Sequence, residues 1–84
     1  MFFREVTEVK LPVISGGKVI KVLLKAGFEI VGRKGSHVRL RKIISKERVI
    51  VVTVPDHKEL AYGTLNDIIK RSEIPKKEFL KKLK

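Results

Sequence analysis

Apolar residues recur along this chain at two periods, and the switch between them outlines a fold. Val19, Ile20, Leu23 and Leu24 follow helical spacing, with Lys18, Lys21 and Lys25 on the opposite side. Ser15 stands where an N-cap hydroxyl accepts from first-turn amides, and Gly27 where helices end, so the spacing predicts a helix over 16–26. From Phe28 the period falls to two. A strand is expected from Phe28 to Lys34, with Phe28 and Ile30 on one face and Glu29, Val31 and Arg33 on the other. Gly35-Ser36 is a hairpin turn dipeptide. His37 to Ile43 alternates again: Val38 and Leu40 share one face, His37, Arg39 and Arg41 the other. Ser45-Lys46-Glu47 is a second turn, and the Val- and Ile-rich run Arg48 to Val54 reads as a well-covered strand that Pro55 ends.

Asp56 to Gly63 is expected to be a loop. Thr64 is then expected to cap a second helix, with Asp67 completing a weak capping box and Leu65, Ile68 and Ile69 as its apolar stripe. Ser72-Glu73-Ile74 breaks that run. Pro75 suits the first position of a short last helix bearing Phe79, Leu80 and Leu83. At the other end, Leu11-Pro12 opposes helix, so residues 1–14 read as an extended arm before a core of residues 15–84.

Helix, three antiparallel strands, helix and short helix make an α+β layer fold in one domain. Both helices would cover one sheet face through Phe28, Ile30, Val38, Leu40, Leu23, Leu24 and Ile68, leaving His37, Arg39 and Arg41 on the other. The α-β-β-β-α order is also that of the double-stranded-RNA-binding domain, a likeness of topology that does not fix function.

Composition narrows the partners. The 84 residues hold 20 Lys+Arg against 9 Asp+Glu, a formal net charge of +11. A one-sided charge of this size points to a polyanion, either a nucleic acid or an acidic protein that imitates one. Gly32 to Arg48 carries Arg33, Lys34, Arg39, Arg41, Lys42, Lys46 and Arg48 against Glu47 alone, and this cluster surrounds the Gly-Ser turn. A second cluster, from Lys70 to Lys84, lies on helical patterns and reads as a solvated face. The absence of cysteine removes disulfides and thiolate metal sites, and two histidines with scattered carboxylates offer no zinc ligand set. No apolar run has membrane-spanning length, and the N-terminus lacks a signal-peptide core, so the cytoplasm is the expected compartment and no cofactor is implied.

His37 is the leading candidate for chemistry. Imidazole titrates within the physiological range, and RNA brings its own nucleophile, the 2′-hydroxyl. Cleavage then needs a base, an acid for the departing 5′-oxygen, and cations around the phosphorane. Arg33, Lys34, Arg39 and Arg41 stand close by in sequence to hold phosphate; Gly35 shapes the turn, and the Ser36 hydroxyl could orient His37 or a phosphate. The alternative is a histidine that only hydrogen-bonds at a hairpin, and residue types alone favour it. His57, in Pro55-Asp56-His57-Lys58-Glu59, is a possible second acid/base or, more commonly for such a position, a loop residue bonded to local backbone. The amides at Gly63-Thr64 offer a phosphate the positive end of a helix, or simply begin one. Tyr62 could stack on a base or pack over the helix end.

Several ordered stretches resemble the HicA toxins of type II toxin–antitoxin systems. Leu11-Pro12-Val13-Ile14-Ser15-Gly16 with Val19-Ile20 is similar to the family's lead into its first helix, and Lys25-Ala26-Gly27-Phe28 to that helix's end. Arg33-Lys34-Gly35-Ser36-His37 is similar to its most characteristic stretch. Val52-Thr53-Val54-Pro55, His57-Lys58-Glu59-Leu60 and Gly63-Thr64-Leu65 resemble its third strand, loop and second helix. The resemblance implies a double-stranded-RNA-binding-domain-like fold and a metal-independent endoribonuclease acting on mRNA. It also implies His37 as the catalytic histidine and a HicB-type antitoxin that covers the site. Many members carry a second histidine directly after the first; this chain has Val38 there, which strand alternation turns inward. A basic RNA-binding module without catalysis, and a domain whose basic face meets an acidic protein, are the other readings. DNA binding is not expected of this chain alone.

Overall fold

The computed structural model describes residues 13–83; the arm expected over 1–14 therefore lies, apart from Val13 and Ile14, outside the described residues. Six elements follow in the order α1 (Gly16–Lys25), β1 (Glu29–Lys34), β2 (His37–Ser45), β3 (Arg48–Pro55), α2 (Tyr62–Ser72) and α3 (Lys76–Lys82). The strands form one antiparallel sheet in the order β1-β2-β3. This is the expected α-β-β-β-α layer with an extra C-terminal helix.

Helix α1 forms as its caps require. Ser15 Oγ accepts from the Lys18 amide at 3.2 Å. At the other end Gly27 adopts φ 101, and the amides of Gly27 and Phe28 return to the carbonyls of Leu24 and Leu23 at 3.1 and 3.0 Å. That pair of bonds is the Schellman arrangement, which needs the left-handed residue glycine supplies without strain. Val19, Val22 and Leu23 turn inward.

Helix α2 departs from the reading of Thr64 as its cap. The helix starts three residues earlier than that cap implies, at Tyr62, behind Ala61, whose side chain makes no capping bond. Thr64 lies inside the first turn, and Asp67, expected to complete a capping box, accepts instead from Arg71 one turn on at 3.1 Å. The helix ends as anticipated. Glu73 takes φ 62, Ser72 Oγ donates to the Ile69 carbonyl at 2.7 Å, and the Ile74 amide donates to Ser72 Oγ at 3.2 Å.

The core lies between one sheet face and the helices. Val38, Leu40, Ile50, Val52 and Val54 from the sheet meet Val19, Val22, Leu23, Leu65, Ile68, Ile69 and Phe79 from the helices. Two expected core residues do not join them: Ile30 is 52 % and Leu24 43 % exposed. Ile30 pairs with the buried Leu40, so it sits on the covered side, but on the edge strand, where the helices leave it half open. A register shift between Ile30 and Gly32 inserts Val31 as an extra residue and breaks the strict alternation expected along β1.

Candidate functional site

Register decides which side chains share the uncovered face. His37 pairs with Pro55, Arg39 with Thr53, Arg41 with Val51 and Ile43 with Val49. On the other side of β2, His37 pairs with Lys34 and Arg39 with Gly32. The intervening residues Val38 and Leu40 are 1 % and 0 % exposed. His37 and Arg39 therefore point away from the core, as alternation predicts, and Val38 packs beneath them.

An open concavity of about 740 Å³ lies over this corner of the sheet, lined by Val31, Gly32, Arg33, Lys34, His37, Arg39 and Thr53. Gly32 contributes no side chain to fill it. His37 is exposed, lines this concavity, and its ring makes no hydrogen bond among the described residues.

The hairpin turn that presents His37 is tight. Lys34 ends β1, His37 begins β2, and only Gly35 and Ser36 lie between. Gly35 has φ 59, the conformation a first turn residue of this kind adopts cheaply only as glycine.

The basic cluster is partly self-neutralised. Arg33 donates to Asp56 at 2.7 Å and Arg41 to Glu29 at 2.7 Å, while Arg48 pairs with Glu73. Hydrogen bonding and charge from Glu73 raise the pKa of Arg48 above its already high ordinary value. Lys42 lies over the Phe28 ring, 5.9 Å from its centre. Lys34 and Arg39 are exposed and belong to no ion pair among the described residues. Both line the concavity, whereas Arg33, which also lines it, is held by Asp56. An exposed pair of this kind contributes only about 0–1 kcal/mol.

Other expected residues lie elsewhere. Arg41 is on the same face but farther along it, and Thr64 sits in α2; neither lines the concavity. Ser36 Oγ lies 3.3 Å from His57 Nε2 and so engages His57, not His37. His57 is exposed and outside the concavity. Sequence reasoning missed Thr53 as a lining residue and Asp56 as the partner of Arg33. The Val-Ile alternation of β3 would have placed Thr53 on the open face beside Val51. Asp56 gave no such signal, because it lies 23 residues from Arg33.

A family model for the HicA toxin of bacterial toxin-antitoxin systems matches residues 16–74 of the 84. The chain belongs to the HicA toxin family. The match begins at the first residue of α1 and runs just past α2, so it contains the whole sheet and every residue of the concavity. No curated protein matches the chain. As a HicA toxin it is one half of a toxin–antitoxin pair, with an antitoxin as its counterpart. Among the described residues no helix is long and apolar enough to cross a membrane.

Proposed function

We propose that this HicA chain is an endoribonuclease that cleaves mRNA in the cytoplasm, with His37 as its general acid/base and Lys34 and Arg39 holding the scissile phosphate. The observation that carries the reading is the outward His37 ring, set on the concavity between Lys34 and Arg39 and backed by the buried Val38. Cations at both sides favour the extra negative charge of the phosphorane over the ground-state diester, which is the differential stabilisation catalysis requires. The 2′-hydroxyl supplies the nucleophile, so this chemistry calls for proton transfer and charge stabilisation and needs no metal. A single histidine can take the proton from the 2′-hydroxyl and, once protonated, return it to the 5′-oxygen. The 2′-oxygen–phosphorus bond forms as the bond to the 5′-oxygen breaks, which leaves a 2′,3′-cyclic phosphate and a 5′-hydroxyl with the proton accounted for.

The counterpart is a HicB-type antitoxin that covers this face. Besides the cations, the face exposes Ile43, Val49 and Val51, 61 %, 48 % and 47 % accessible. Aliphatic side chains do not stack on bases as aromatic ones do, so this part suits a protein surface better than RNA.

Purified wild type and His37→Ala are incubated with a long single-stranded RNA in excess EDTA. Fragments from wild type, with the variant slower by about 10²- to 10⁴-fold, are the expected result. Binding without fragments from a folded wild type would leave an RNA-binding module and overturn the catalytic reading. Equal fragments from both proteins would remove His37 from the site.

A further inference from the structure

The loop after β3 is fastened to the turn that presents His37 by one backbone bond and two side-chain contacts. The Asp56 amide donates to the Ser36 carbonyl at 2.6 Å, carrying the His37–Pro55 register one pair beyond the strands. In an antiparallel ladder hydrogen-bonded pairs alternate with non-bonded ones, so the Ser36–Asp56 bond makes His37–Pro55 a non-bonded pair. That is where a strand tolerates proline, because its missing N–H would have faced outward. Nothing in the backbone at position 55 then ties this end of β3 to β2, and the next residues must do it.

Two side-chain contacts join that amide bond. Ser36 Oγ meets His57 Nε2 at 3.3 Å, and Arg33 meets Asp56 at 2.7 Å. The same loop is anchored from behind: the His57 carbonyl accepts from the Gly16 amide at 2.8 Å, and the Leu60 amide donates to the Ile14 carbonyl at 2.9 Å. Gly16 permits this approach, since a Cβ there would stand 2.0 Å from the Pro55 carbonyl oxygen. The His57 backbone is thus fixed to the start of α1 while its ring reaches the hairpin turn.

We propose that His57 is a positioning residue, whose ring clasps Ser36 and holds the turn so that His37 and Lys34 keep their places over the concavity. This gives His57 a role distinct from a second acid/base, because its ring lies outside the concavity and is engaged with the Ser36 hydroxyl. The inference rests on the ribonuclease reading for its kinetic consequence, but the clasp itself can be observed without any reaction.

The test compares His57→Ala, Ser36→Ala, the double variant and His57→Gln, with RNA cleavage and amide hydrogen exchange as readouts. Misplacing a catalytic group by an ångström lowers rate by up to about a hundredfold, so kcat should fall about ten- to a hundredfold in either single variant with KM nearly unchanged. The double variant should be no slower than the worse single one, because both remove one contact. His57→Gln, which can still hydrogen-bond Ser36, should recover most of the rate. The pH profile should keep the same limbs in every variant that turns over. In parallel, His57→Ala should speed exchange at the Asp56 amide while the core amides of Val52 and Leu65 stay protected. Loss of one pH limb in His57→Ala, with no rescue by glutamine, would make His57 an acid/base and overturn the proposal. Unchanged kcat and unchanged Asp56 exchange would overturn it too. If wild type cleaves nothing, the ribonuclease reading fails by itself, and the exchange experiment still decides whether the clasp exists.

Discussion

The Arg33 guanidinium donates to the Asp56 carboxylate at 2.7 Å at the edge of the concavity, with both side chains partly exposed. The pair keeps one cation of the site occupied until something more anionic arrives. Asp56→Asn should therefore tighten RNA binding. It should also steepen the fall of log K with log salt by up to about 0.7, the increment for one further phosphate contact on a single strand. Stability should change by no more than about 1 kcal/mol. Binding titrations of the cleavage-deficient His37→Ala background over a salt series measure this; an unchanged slope would show that Arg33 does not reach phosphate.

Gly16 and Gly17 are neighbours with opposite tolerances. An added Cβ at Gly16 meets the Pro55 carbonyl oxygen at 2.0 Å, whereas at Gly17 the nearest atoms are 3.9 Å away. Gly16→Ala should destabilise the fold by about 1–3 kcal/mol, the range for overpacking against atoms that cannot easily move. Gly17→Ala should be neutral or stabilising by up to about 1 kcal/mol, because alanine suits a helix better than glycine. Thermal unfolding of the two variants gives the comparison.

Gly35 carries φ 59 with open space around it, so nothing but backbone conformation opposes a side chain there. Gly35→Ala should lower stability by about 1–2 kcal/mol. It should also lower the cleavage rate more than the RNA affinity, because the turn sets the direction of His37. A variant as active as wild type would disconnect the turn's geometry from the rate.

Phe79 is fully buried and is the one buried residue of the short helix α3. Phe79→Ala should destabilise by about 3–5 kcal/mol in urea unfolding. Since α3 packs on α2 and lies far from the concavity in the chain, the folded fraction should still cleave RNA at low temperature.

Much of the fold was legible because its signals are local. The Ser15 cap, the α1 stripe and the alternation of β2 each act within a few residues, and His37 faces outward as that alternation requires. The failures involve geometry that no local window holds. Whether Ile30 and Leu24 are covered depends on where the helices lie across the sheet, not on their own spacing. Helix α2 starts at Ala61–Tyr62 without a side-chain cap, so Thr64 attracted the assignment. Counting back from the Ser45–Arg48 pair would set His37 opposite Asp56. The irregularity between Ile43 and Ser45 shifts the register by one and brings Pro55 there instead. The contacts of Ser36 and Arg33 with the following loop depend on that shift, and so the clasp was invisible before the fold was known.

The concavity also has a bearing on synthesis. Its lining runs from Val31 to Thr53, whereas Leu65, Ile68, Ile69 and Phe79, which close the core under the sheet, come later in the chain. As the ribosome delivers residues in order, the reactive hairpin emerges before anything that can bury Val38 and Leu40 against α2. Until α2 and α3 are made, the inner face of the sheet has only α1, which precedes it in the chain, to pack against. The hairpin that bears His37 is thus complete in the chain before the packing that holds its inner face.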